Sequence, residues 1–248
     1  MMLIIPAMDF TQGHCVRKIQ GEPGTEHFYE QLSENPHELA KLWRIENAKS
    51  LHITDRDSLN GNDNSDNIAS INDVIDAVDI PVELYSDFKS VEECEHWLEE
   101  GCFRLVLTTL LLDDPDGVRR LVKEFTASRV VLGMRTNNRM VEFAGEYPAM
   151  RDTDFAMLAK DVGIKRIVYS DANWEGTYFG PDVETLKAVA QDTGMRITAS
   201  GGIDSPQELW MIQDLYTYGV DSVVVGRALF ENRFPCQKIW RLIEAETK

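Results

Sequence analysis

Val82-Glu83-Leu84-Tyr85-Ser86-Asp87-Phe88-Lys89-Ser90 aligns without a gap on Ile197-Thr198-Ala199-Ser200-Gly201-Gly202-Ile203-Asp204-Ser205, and each segment runs from a short apolar stretch into the start of a helix. The next apolar stretches keep the correspondence, with Leu105-Val106-Leu107-Thr108-Thr109-Leu110-Leu111 falling on Val223-Val224-Val225-Gly226-Arg227-Ala228-Leu229. Near the start of each half, Ala7-Met8-Asp9 falls on Gly133-Met134-Arg135. Three matched stretches in the same order are the signature of a duplicated supersecondary unit. We therefore expect one domain over 1–248, made of two half-barrels of about 1–126 and 127–248.

Working outward, short apolar runs recur at intervals that fit a strand plus a helix. They are Leu3–Met8, Leu51–Thr54, Pro81–Leu84, Phe103–Leu107, Val130–Met134, Arg166–Tyr169, Arg196–Ala199 and Asp221–Val225. Continuous Val, Ile and Leu runs suit parallel strands covered on both faces. The intervening segments carry helical patterns at Pro36–Asn47, Asn67–Ala77, Val91–Glu99, Pro115–Phe125, Asp154–Asp161, Val183–Gln191, Pro206–Tyr216 and Cys236–Glu246. Ser205-Pro206 with Glu208, and Ser90 with Glu93, have capping-box spacing. Eight alternations predict an α/β fold of the closed (βα)8 TIM-barrel type rather than an open sheet. Asn60–Ser65 and Thr136–Thr153 read as irregular connections on the face where such barrels build their sites.

A length of 248 residues supports a large core without staples, and the formal charge of -17 repels a phosphate backbone, which argues against a nucleic-acid partner. A small phosphorylated ligand is compatible with that charge, because a few backbone N–H groups and one Arg act locally against a diffuse field. Cys15, Cys94, Cys102 and Cys236 form no CxxC pair and no ligand spacing with His, so no metal is expected and reduced thiols are. No leader-like or membrane-spanning run is seen, and no G-x-G-x-x-G implies a dinucleotide. The expectation is a cytoplasmic protein with no membrane association and no cofactor; its oligomeric state is left open by the sequence, with a monomer favoured.

The repeat also localises chemistry. Ser200-Gly201-Gly202 and Gly226-Arg227 put glycines at two adjacent strand ends, where bare backbone N–H groups approach a phosphate closely. The structural alternative is that these glycines only permit tight turns. In the first half the matching positions are Tyr85, Ser86 and Asp87, with Thr108 and Thr109 in place of the second glycine turn. A ring and a carboxylate do not make a phosphate cradle.

Ile4-Ile5-Pro6-Ala7-Met8-Asp9, the Gly13-to-Arg17 segment, Leu51-His52-Ile53-Thr54-Asp55, Ser200-Gly201-Gly202-Ile203, Val225-Gly226-Arg227-Ala228-Leu229 and Asn232–Gln237 together resemble the HisA family of histidine biosynthesis. These are phosphoribosylformimino-aminoimidazole carboxamide ribotide isomerases. The resemblance runs from end to end and implies a barrel that binds a substrate with a phosphate at each end. It also implies an Amadori rearrangement of an aminoaldose to an aminoketose, with two aspartates on strands one and five as general base and general acid. Asp9 matches the first aspartate. Arg135 stands at the second, where a permanently protonated guanidinium has no proton to give. The family's glycine turn after strand three is here Tyr85-Ser86-Asp87-Phe88-Lys89, so the second phosphate site is lost, while Ser170-Asp171 and Glu175-Gly176-Thr177 keep the strand-six elements in conservative form.

The candidate site is accordingly Asp9, Ser170, Glu175 and Arg135 for catalysis, with Gly176, Thr177, Ser200, Gly201, Gly202, Gly226 and Arg227 for phosphate. Asp9 reads either as a base or as an organiser of the first loop. Arg135 reads either as an ion-pair partner of Asp9 or as a binder of an anionic ligand, and Trp174 either as a stacking surface or as a loop anchor. Two functions compete on these residues: isomerase-type chemistry on a phosphoribosyl or sugar-phosphate ligand, and a non-catalytic paralogue that binds a phosphorylated ligand or a partner. An Asp9 facing an open mouth favours the first, and one closed off by Arg135, Tyr85 and Asp87 the second.

Overall fold

Eight parallel strands close into a ring in the computed structural model, which describes residues 2–16, 34–143, 147–175, 177, 180–231 and 233. The strands are β1 (Leu3–Thr11), β2 (Leu51–Asp55), β3 (Val82–Tyr85), β4 (Arg104–Leu107), β5 (Val130–Asn137), β6 (Arg166–Asp171), β7 (Arg196–Ser200) and β8 (Val220–Val225). Each pairs with its successor, and β8 pairs back onto β1 from Leu3 opposite Ser222 to Pro6 opposite Val225. Such closure satisfies both edges of every strand, and it is the expected (βα)8 barrel.

The outer layer holds α1 (Pro36–Ile45), α2 (Ser65–Ala77), α3 (Val91–Glu99), α4 (Pro115–Phe125), α5 (Asp152–Asp161), α6 (Val183–Thr193) and α7 (Pro206–Gln213). The expected eighth helix, Cys236–Glu246, lies outside the described residues. Among them, no helix is long and apolar enough to cross a membrane. Local chemistry sets the helix starts: Ser205 and Glu208 form the reciprocal capping box, while Ser90 caps Glu93 N–H and the Glu93 carboxylate takes the N–H of Lys89. Two ends fall short of the expected ones. α1 stops before Asn47, whose φ of 77° is left-handed, and α7 gives way to a 3₁₀ turn at Tyr216–Tyr218 before Gly219 at φ 111°.

Apolar residues on the outward faces of the strands and inward faces of the helices form one large core. Inside the ring, the apolar clusters among the described residues are two small ones, Leu3-Ile5-Ala7-Val224 and Tyr85-Val106-Val131-Val168. Toward the amino-terminal ends of the strands, the interior is polar and internally satisfied. Arg104 donates to Glu83, which also bonds His52 Nδ1 at 2.7 Å, and Arg166 bridges Thr198, Asp221 and Ser222. Burial works to raise the Glu83 carboxyl, but hydrogen bonding and charge from His52 and Arg104 outweigh it and hold the group below the usual carboxylate range.

Six strands run further toward their carboxy-terminal ends than their apolar runs, through Asp9–Thr11, Asp55, Tyr85, Arg135–Asn137, Ser170–Asp171 and Ser200. Beyond the ring, Thr136 and Asn137 continue into an antiparallel ribbon with Met140–Val141, which pairs in turn with Met150–Arg151. The stretch read as irregular therefore contains strand structure of its own.

Candidate active site

At the carboxy-terminal face, the extended strand ends enclose a cavity of about 760 Å³. Asp9, Arg135, Ser170, Glu175, Thr177, Ser200, Gly201, Gly202, Gly226 and Arg227 all line it, so ten of the eleven expected site residues meet in one place. The eleventh, Gly176, lies outside the described residues. The size is that of a pocket for a nucleotide-sized ligand.

The second-half wall is built from backbone. Gly201 and Gly202 stand at φ 91° and 75°, in the left-handed region that glycine enters without a Cβ penalty. Space makes the same demand, since a Cβ on Gly202 would meet the Trp174 carbonyl oxygen at 3.0 Å and the Gly180 carbonyl carbon at 3.1 Å. Trp174 is buried beneath this turn and donates from Nε1 to the Ser200 carbonyl at 3.1 Å. Its ring therefore anchors the loop after β6 to the glycine turn. The Thr177 hydroxyl donates back to the Trp174 carbonyl at 2.8 Å. Arg227 begins a short helical turn, Arg227–Phe230, and pairs with Glu231 at 3.2 Å; Arg233 reaches Asp204 at 2.7 Å.

The first-half wall is built from side chains. No residue from Tyr85 to Ser90 has a positive φ, so the turn lacks the left-handed geometry of Gly201 and Gly202. It is pinned instead: Ser86 donates to Asp55, and the Asp87 N–H donates to Ser58 Oγ at 3.0 Å. Asp87 accepts from the Thr109 hydroxyl at 2.7 Å and pairs with Lys89. The Tyr85 ring lies against Gly133 of β5, where a Cβ would come within 2.9 Å of Cε2, and its hydroxyl accepts from Thr108. Burial pushes the Tyr85 phenol above its ordinary value.

Between these walls lie the candidate catalytic groups, and their partners correct one expectation. Asp9 does not pair with Arg135. Arg56 donates from Nη2 to Asp9 Oδ2 at 2.9 Å, and Arg135 donates from Nε to Glu175 Oε2 at 2.7 Å. The reason is position in the ring: β1 neighbours β2, which leads directly into Arg56, whereas β5 neighbours β6, whose loop carries Glu175. The hydrogen bond that Arg135 donates to Glu175 raises the guanidinium further above its already high value, so it stays charged. Ser170 is almost covered at the end of β6, and next to it Asp171 accepts from Thr136 and from Asn173. Burial opposes ionisation of Asp171, but these hydrogen bonds outweigh it and hold its carboxyl low.

Residues outside the expected site complete the arrangement. Asp55 and Asp57 are buried and share the amide of Asn67, whose Oδ1 accepts from the Gly13 N–H, while Asp57 accepts from the Gln12 N–H. They organise the loops after β1 and β2 and do not offer an acidic contact to ligand. The Asp55-Arg56-Asp57 run stands out in the sequence, but the buried Asn67 that completes it, in the first turn of α2, carries no signal there. Among the described residues, no three His, Cys, Asp or Glu side chains come together as a metal site requires.

Comparison with known proteins agrees with this architecture. A family model described as "Histidine biosynthesis protein" matches residues 3–235. An imidazole-4-carboxamide isomerase from Salinibacter ruber, whose full name carries two 5-phosphoribosyl groups, is 39% identical over 244 residues, covering 97% of this chain and 93% of that protein. Proteins of the same name from Chloroherpeton thalassium and Chlorobium chlorochromatii are 37% and 38% identical, over 98% and 99% of this chain and 92% and 95% of their own lengths.

Proposed function

The chain belongs to the histidine biosynthesis protein family, and on that premise we propose that it holds a phosphoribosyl-type ligand by one phosphate at the β7 and β8 turns and performs isomerase-type chemistry on it. The observation that carries the reading is the open cavity in which Asp9 and the left-handed Gly201-Gly202 turn share one wall-to-wall space. Arg135, Tyr85 and Asp87 form parts of its lining and leave room for a substrate.

In aldose–ketose chemistry on a ring-opened amino sugar, a base takes the proton from the carbon next to the imine, and a proton is returned to the neighbouring centre. Asp9 is the group for the first step, with Arg56 orienting the carboxylate. Arg135 cannot return the proton, so the step closes by the Asp9 carboxyl handing back to the neighbouring carbon the proton it took. Arg135 can stabilise negative charge that develops on a sugar oxygen, with Glu175 fixing its direction and Ser170 supplying a hydroxyl beside it. Binding rests on Gly201, Gly202, Gly226, Arg227, Ser200 and Thr177, with Gly176 in the same loop.

A second reading has its own motive. Both candidate catalytic carboxylates, Asp9 and Glu175, already hold a guanidinium, as they would in a paralogue that binds a phosphorylated ligand without turning it over. The test compares the unaltered protein with Asp9→Asn and Arg135→Asp, measuring turnover of the two-phosphate substrate named for the relatives and thermal stabilisation by ribose 5-phosphate and inorganic phosphate. Stabilisation by the monophosphate, retained in Asp9→Asn, supports the single phosphate site. Turnover that Asp9→Asn abolishes assigns the base, and stabilisation with no turnover favours the binding paralogue. No stabilisation by either phosphate overturns the site.

A further inference from the structure

We propose that Asp87 turns the far end of the cavity from a phosphate subsite into a selector for neutral or cationic hydrogen-bond donors, so that the ligand carries phosphate at one end and an amide or amine at the other. The inference rests on the single-phosphate reading above and extends it to the half of the ligand that reading leaves open.

Three features of the β3 turn carry it. First, the turn occupies the place that the internal repeat relates to Ser200-Gly201-Gly202, with Asp87 falling on Gly202. At that place the second half offers bare backbone, and the first half offers a carboxylate that lines the cavity. Second, the backbone keeps to negative φ through the turn, so successive N–H groups do not converge as an anion nest requires. The Asp87 N–H is already committed to Ser58 Oγ. Third, the carboxylate is built in. Thr109 and Lys89 each hold one of its oxygens, the N–H and C=O of Asp87 itself both bond the Ser58 hydroxyl in the turn after β2, and the side chain keeps 16% of its surface exposed.

A carboxylate accepts at about four lone-pair positions, and Thr109 and Lys89 occupy two. The remaining capacity faces the cavity as acceptor only. A second phosphate there would meet a fixed like charge, with the Lys89 ammonium already spent on Asp87. An amide or amine would complete the acceptor set instead. The Tyr85 hydroxyl, within hydrogen-bond distance of the Thr108 hydroxyl and part of the same lining, can donate to a carbonyl beside such a group.

A matched pair of ligands tests this by titration calorimetry: 5-aminoimidazole ribotide bearing a 4-carboxamide, and the same ribotide bearing a 4-carboxylate. They share the phosphate and differ by one charge at the far end. The carboxamide is expected to bind about tenfold tighter or more, the size of a like-charge penalty at short range in a partly solvated site. Asp87→Asn, which keeps an acceptor for Thr109, is expected to bring the two within about threefold of each other, with the thermal midpoint of the free protein checked in parallel. Equal binding of the two ribotides by the unaltered protein overturns the inference and leaves the phosphate site standing. So does tighter binding of the relatives' two-phosphate substrate than of the carboxamide ribotide. Failure of both ribotides to bind, together with ribose 5-phosphate, removes the phosphate site itself.

Discussion

Gly133 and Tyr85 should be energetically coupled across the mouth of the barrel. A Cβ at position 133 would sit 2.8 Å from Val106 Cγ1, 2.9 Å from Tyr85 Cε2 and 3.1 Å from Thr108 Oγ1. Nonbonded carbons are at ease near 3.5–4.0 Å, so Gly133→Ala pushes on three wall side chains at once. Overpacking of this kind costs about 1–3 kcal/mol. Tyr85→Ala alone removes a half-buried ring, which places its cost below the roughly 3–5 kcal/mol of a fully buried aromatic. In the double variant the ring contact is gone and Val106 can move into the space it leaves, so the two costs do not add. A coupling of about 1 kcal/mol or more is expected, within the range for residues in contact. For a chain of 248 residues, each kcal/mol displaces the thermal midpoint by about 2–4 °C, so the double variant should melt measurably above the sum of the single losses. Thermal melts and urea titrations of the four proteins supply the cycle. Additivity to within about 0.5 kcal/mol would refute the packing of Tyr85 on β5.

Gly202→Ala is expected to abolish stabilisation by ribose 5-phosphate, because the methyl group meets backbone atoms of the Trp174 and Gly180 segments that cannot step aside, and to cost about 1–2 kcal/mol for the left-handed Ala alone; a phosphate-titration melt reads both. The pH dependence of stability should show the Asp221–Arg166 pair. Burial disfavours the Asp221 carboxylate, yet the Arg166 hydrogen bonds and charge prevail and hold it below its usual value. A depressed carboxyl contributes stability that is complete above its unfolded value of about 4 and is lost as pH falls through the folded one. The stability gap between the unaltered protein and Asp221→Asn should therefore be flat near neutrality and shrink in acid; a gap that grows in acid would contradict the pairing.

How much was legible in the sequence differs by level. α3 and α4 match their expected bounds because a Ser or Asp cap followed by Val or Pro marks the start of each and the apolar periodicity does the rest. Strand existence was equally clear, but six strands outran their apolar runs. The reading stopped where polarity began, at Asp9-Phe10-Thr11 or Arg135-Thr136-Asn137, whereas the chain stays extended because the inner face at the mouth is lined with polar groups. The glycine turns were legible from residue type alone. Pairing was not. Setting Asp9 on Arg135 through the repeat tempts one to join them, yet positions related by a half-turn of the ring stand on opposite walls, and each finds a partner on the adjoining strand. Trp174 was undecidable from sequence, since only the fold puts the Ser200 carbonyl within reach of its indole N–H.

The closed ring also bears on how the molecule escapes sticking to itself. In an open sheet the outermost strand presents unpaired N–H and C=O groups that can recruit another chain. Here β1 is stitched to β8, so the barrel itself offers no such row. β4 is the most weakly stitched member, joined to each neighbour through only three aligned residue pairs, against four between β1 and β8. Any fluctuation that unzips the ring at β4 would bare Leu105 and Leu107 together with two fresh strand edges. The risk of aggregation is thus concentrated in one seam, beside the turn that carries Thr108 and Thr109.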